Sequence, residues 1–206
     1  MSIVKLNNKA VSNATAFGSI TSLGSMTFIK KLTASSSATL SFVDGTDGVV
    51  LDDTYKEYVF YWFNSHPSVD GTRLQFNLST DSGSNYNVTK TTTSFRAYHD
   101  EADTDTGLFY ETGNDLAQST GFQDLSDYNG NENDEASSGY LHLFNPSSTT
   151  FVKHFIANIN SVQSSNYSMN TFVAGYGNTT SAVNAIRFQM SSGNIDAGDI
   201  CLYGIA

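Results

Sequence analysis

The chain has 206 residues, 20 of them acidic against 10 lysines and arginines, for a formal charge of −10, and charged residues make up only 15% of it. Its three arginines, Arg73, Arg96 and Arg187, lie far apart, so there is no basic stripe of the kind that displaces counterions from phosphates, which excludes nucleic acid and disfavours anionic membrane surfaces as partners. No segment approaches the roughly 18 apolar residues of a membrane span, so membrane insertion is excluded too.

Taken in chain order, Met1 to roughly Gly24 is small and polar with isolated apolar residues such as Phe17 and Ile20. It reads as an extended arm without a core of its own, or equally as an edge strand of the domain that follows. Met1 opens on no apolar h-region, so no secretory signal is expected. Ala38 to Val43 predicts a short strand, ended by Asp44-Gly45-Thr46-Asp47-Gly48. Tyr55 to Phe63, a near-continuous aromatic run anchored by Trp62, predicts a strand covered on both faces. Arg73 to Leu78 alternates polar and apolar, and Val88 to Tyr98 is rich in β-branched residues.

A long polar stretch, Asp100 to Ser138, then reads as an insertion or a set of loops at one end, with a short helix able to start over Asp115 to Gln118. Strands resume at Tyr140 to Phe144, Phe151 to Ile159, Phe172 to Tyr176, Ala185 to Met190 and Ile200 to Ile205. Many short strands between turn clusters, with no helical period, predict an all-β protein, an antiparallel β-sandwich of jelly-roll type. Residues 25–206 are expected to form one domain, since sandwiches of this length commonly do. A strand that runs almost to Ala206 has to pair inside a sheet to be ordered.

Few constellations here can carry chemistry. Ser79 to Tyr86, STDSGSNY, resembles the Asp-box of sialidases, with Asn85 and Tyr86 in place of Thr and Trp. An Asp that caps a turn, a Gly with positive φ and an aromatic pinned to the core explain it as a structural hairpin. Acids cluster at Asp44 to Asp53, Asp100 to Asp105 and Asp124 to Glu135. DYNGNENDEASSG has an EF-hand cadence, but Gly130 is at position four rather than six and Ser138 at twelve is no ligand. Solvated loop acids explain it, and a Ca²⁺ ion held between loops is the one cofactor this composition admits. His66, His99, His142 and His154 lack zinc spacing, although His142 and His154 fall on adjacent predicted strands. Cys201, the single cysteine, cannot form an internal disulfide and reads as a buried small hydrophobe. No nucleophile elbow, phosphate loop or H-E-x-x-H helix is present, so no catalytic residue is assigned and a non-enzymatic protein is expected.

The C-terminal segment is the most specific. Phe188, Ser191, Gly193, Ile195, Gly198, Ile200, Leu202, Tyr203, Gly204 and Ile205 follow F-x-x-S-x-G-x-I-x-x-G-x-I-x-L-Y-G-I. It resembles the ends of virion structural proteins of tailed bacteriophages, especially marine and cyanobacterial ones. That resemblance implies a structural component on the virion surface, made in the host cytoplasm, and it supplies no catalytic residues. The expected role is capsid decoration as a homotrimer, with the arm docked on a capsid or tail protein. A tail or tail-fibre-like accessory protein that binds host-surface glycans is the alternative, with Tyr110, Phe122, Tyr128 and Tyr140, in or beside the polar stretch, as the aromatics to contact sugar.

Overall fold

Strands rich in aromatic and β-branched residues, divided by turn formers, leave no helix among the described residues. The structure, a computed structural model, describes residues 25–206 and contains twelve strands. The expected arm, Met1 to Gly24, lies outside the described residues. The strands are β1 (Met26–Thr33), β2 (Leu40–Val43), β3 (Glu57–Pro67), β4 (Leu74–Ser79), β5 (Lys90–Asp100) and β6 (Thr106–Tyr110). They continue with β7 (Gln123–Asp124), β8 (Ser137–Phe144), β9 (Lys153–Gln163), β10 (Tyr167–Gly177), β11 (Ala185–Met190) and β12 (Ile195–Ile205).

All pairings between these strands are antiparallel, in two sheets. The large sheet has the order β1-β12-β3-β8-β9-β10-β5-β6, and the small one β2-β11-β4-β7. Their facing side chains form one core, in which Phe42, Phe76 and Phe188 of the small sheet meet Phe60, Trp62 and Phe155 of the large one. The arrangement is a β-sandwich with unequal layers. The small sheet packs on the inner face only and its four strands cannot span eight, so among the described residues nothing covers the large sheet's outer face or the far end of its inner one.

Three local expectations are corrected. The aromatic run in β3 is not covered on both faces: Tyr58, Phe60 and Trp62 are buried in the core, whereas Tyr61 and Phe63 look outward and Phe63 is 49% exposed. No helix forms over Asp115 to Gln118. That segment instead lies along β5, with its backbone groups taken by exchange between Lys90 and Ser119 and by the bond from Thr92 N to the Leu116 carbonyl. STDSGSNY is a corner rather than a hairpin, because β4 and β5 belong to different sheets. Its chemistry is the expected kind: Asp81 accepts from the Ser79 hydroxyl at 2.7 Å and from Asn85 N at 2.8 Å, and Tyr86 is buried beneath the Arg187 guanidinium.

The closing motif forms β12, which lies between β1 and β3 and is paired on both sides. Gly198 sits at an irregularity in that pairing with φ +113°, and a Cβ there would lie 2.6 Å from the Asn64 carbonyl oxygen. Only glycine fits this bulge.

Candidate functional site

Because side chains alternate across a strand, the register fixes what the large sheet shows outward. One row of partners crosses all eight strands: Lys31, Cys201, Tyr61, Tyr140, Asn158, Phe172, Phe95 and Tyr110. On one wing, Phe28, Tyr203, Tyr61 and Tyr140 form an unbroken series of ring contacts with centroids 5.5 to 6.0 Å apart. His142 continues it, 5.1 Å from Tyr140. On the other wing, Phe95 and Phe172 stack at 4.9 Å, flanked by Tyr110 and by Leu108, which is 71% exposed. Between the wings, Asn158 and Asn170 exchange amide hydrogen bonds at 2.9 and 3.3 Å. Beside that seam, where Ala174 and Gly175 offer no bulk, a hollow of about 510 Å³ opens between His154, Ile156, Phe144 and Tyr176.

The charges on this face are few, and each carboxylate has a partner. Asp199 takes Lys31 at 3.0 Å, and Glu57 is bonded to His142. Hydrogen bonds from Thr33 and Lys31 hold the Asp199 carboxyl below the usual range. Across seven strand spacings of about 4.8 Å and some 25 Å along the strands, the face covers roughly 850 Å². The two aromatic wings that occupy much of it go beyond the scattered apolar residues of an ordinary surface.

The inward face has its own feature where β5, β9 and β10 run past the end of the small sheet. A cleft of about 250 Å³ is lined by Arg96 and Tyr98 of β5, Tyr167 and Met169 of β10, Gln163 of β9, and Asp105 and Tyr128 from the polar stretch. Its frame is ionic. Buried Asp127 accepts from Arg73 Nε at 2.9 Å and is ion-paired with Arg96, which also pairs with Glu111 at 2.8 Å. The Arg73 guanidinium lies 4.4 Å from the Tyr128 ring centre. Tyr98 and Tyr167 meet nearly at right angles, 5.5 Å apart, and Phe109 stacks on Tyr98 from behind. Burial, then the Asp105 carboxylate, pushes the Tyr167 phenol up.

The four aromatics suggested by sequence therefore separate. Tyr128 enters the cleft, Tyr140 and Tyr110 stand on the outer face, and Phe122 is half-buried in the loop before β7. Tyr110 also donates to Asp115 at 2.7 Å. His142 and His154 do not pair: the first takes Glu57 and the second packs on Tyr176. Among the described residues no three His, Cys, Asp or Glu side chains come together as metal ligands. In DYNGNENDEASSG, Asp127 is taken by arginines and Glu135 by the backbone N–H of Glu132. Cys201 is buried, and burial pushes its thiol up. Comparison of the chain with protein-family models, curated proteins and solved structures finds no match.

Proposed function

We propose that this chain is a non-enzymatic structural component of a tailed-phage virion, a capsid decoration protein that assembles as a homotrimer, and that its sandwich is a jelly roll. One observation carries the assembly reading: the broad, charge-poor aromatic face of the large sheet. A protein with 20 acidic residues repels its own copies least through a surface that carries few charges. Shared between two neighbours, roughly 850 Å² gives each contact about 425 Å² per copy, small beside the about 800 Å² per partner of a standard interface, so the ring is held by its contacts together.

The division of the face into two unlike wings fits the heterologous contacts that close a ring. Around a three-fold axis each copy offers the Tyr61 and Tyr140 wing to one neighbour and the Phe95 and Phe172 wing to the other, with the Asn158 and Asn170 seam toward the axis. The jelly-roll reading is supported by the path of the chain, which alternates between the sheets from β1 through β5 and again from β10 through β12. The virion assignment is supported by the resemblance of the β12 motif.

An electron-microscopy map of the particle with the copy number per virion tests it. Density on the capsid in multiples of three tied to the lattice is the expected result. A few copies confined to the tail would overturn the decoration role. Deleting residues 1–24 should abolish incorporation while leaving the remaining chain folded, and normal incorporation would sink the docking role of the arm.

A further inference from the structure

We propose that the cleft between Tyr98, Tyr128 and Tyr167 binds a single neutral sugar residue of a glycan. Its volume of about 250 Å³ lies below the roughly 300–1,000 Å³ of sites for drug-sized ligands, so it admits one ring and little more. The two perpendicular rings of Tyr98 and Tyr167 form an apolar corner with hydroxyl tips. A pyranose matches that corner, because its C–H face lies against one ring while its hydroxyls reach the polar rim.

The rim is polar and has bonding capacity left. Gln163 uses its carbonyl oxygen on Ser165 N, and its amide N–H₂ has no partner among the described residues. Asp105 engages Tyr167 through only one carboxylate oxygen, at 3.3 Å. Charge selects against anions. Arg96 and Arg73 are neutralised by Asp127, Glu111 and Asp124, so nothing is left to hold a phosphate or sulfate.

Tyr128 supplies an independent sign. Its φ of +48° is a conformation that a bulky side chain rarely adopts. The loop holds it there through hydrogen bonds from Asn129 N to the Thr72 carbonyl and from Ser164 N to the Tyr128 carbonyl. A glycine would sit in that backbone without strain, yet a half-exposed tyrosine occupies it. Strain kept at the rim of a cleft points to a ring positioned for a ligand. The cleft opens on the side of the large sheet opposite the aromatic face, so the inference does not depend on the trimer, and assembly through that face leaves the cleft accessible.

Saturation-transfer NMR on the full chain with methyl glycosides of glucose, galactose, mannose and N-acetylglucosamine, followed by a glycan array, tests it. Saturable binding of at least one probe at millimolar concentration is expected. Tyr128→Gly should weaken that binding about tenfold or more in a chain that circular dichroism shows still folded, since relief of the backbone strain offsets part of the lost Arg73 contact. Tyr128→Phe should retain most of the binding, and Gln163→Ala should weaken it. Absence of saturable binding by the wild type, or binding unchanged in both Tyr128→Gly and Tyr98→Ala, would overturn the proposal. Neither result would bear on the oligomeric state.

Discussion

Lys90 is buried at the edge of the core with its ammonium group 2.5 Å from Asn77 Oδ1 and 2.8 Å from the Val88 carbonyl, and no carboxylate is in contact with it. Burial lowers its pKa from 10.5 to about 7. At about 1.4 kcal/mol per unit, that displacement corresponds to about 5 kcal/mol against the folded state at neutral pH. The penalty is fully present below pH 7, where both folded and unfolded chains carry the proton. Between pH 7 and 10.5 the unfolded chain holds a proton that the folded chain has released, so stability rises with pH, by up to about 1.4 kcal/mol per unit. Lys90→Met removes the charge and the slope but leaves the Val88 carbonyl unpaired, at about 1–3 kcal/mol, while Asn77 Oδ1 keeps the Leu78 N–H. The variant should therefore be more stable than wild type by about 2–4 kcal/mol at pH 7, with the gap closing or reversing by pH 9.5. Urea denaturation of both proteins at half-unit steps measures it. Burial also raises the phenol of Tyr58 and the thiol of Cys201, which pulls stability down at high pH, but these groups act on both proteins and cancel in the difference. A gap that does not change with pH would refute the reasoning.

Other substitutions address the assembly and the cleft frame. Sedimentation of the full chain should give three times the 22.3 kDa chain mass, and Tyr61→Asp with Phe172→Asp should give a folded monomer by circular dichroism; a wild-type monomer at micromolar concentration would contradict the interface. Asp127→Asn leaves Arg73 and Arg96 without their shared buried carboxylate and should lower stability by about 3–5 kcal/mol in chemical denaturation. Asp81, held down to about 2 by the hydroxyl of Ser79 and by Asn85, contributes stability above about pH 4 that is lost as pH falls through 2. Asp81→Ala should therefore melt below the wild type at pH 6 and together with it near pH 2.

Most strands were legible because their signals are local. The aromatic run of β3, the alternation of β4 and the apolar end of β12 each declare a strand within a few residues. The strand β1 is hidden by Lys30 and Lys31, which an edge strand tolerates because its sides are wet. Asp115 to Gln118 looked helical because its partner lies about 25 residues back in β5, out of reach of any local pattern. Alternation also misplaces Lys90 and Lys153, which point inward and find backbone carbonyls and an amide in place of water. The cleft was the least legible feature. Arg73 and Arg96 look scattered along the chain, and only folding brings both onto Asp127.

The two surfaces share strands, and that ties them physically. Along β5, Phe95 and Ala97 face the open side while Arg96 and Tyr98 face the cleft, and in β10 Phe172 and Met169 divide in the same way. A one-residue slip between β5 and β10 would exchange the two sets, placing Arg96 on the aromatic face and Phe95 in the cleft. The unequal layers explain why the inward set is not simply more core. Strands β5, β9 and β10 run for 11 residues, whereas those of the small sheet run for two to six. The overhang would leave inward side chains uncovered, and the Asp100 to Ser138 stretch crosses it with Asp105, Asp127 and Tyr128. Asp127 fixes the arginine, Tyr128 forms one wall, and the space that this cover does not fill is the cleft. The polar stretch is thus a lid for an unfinished sandwich, and its incomplete fit is what makes room for a ligand.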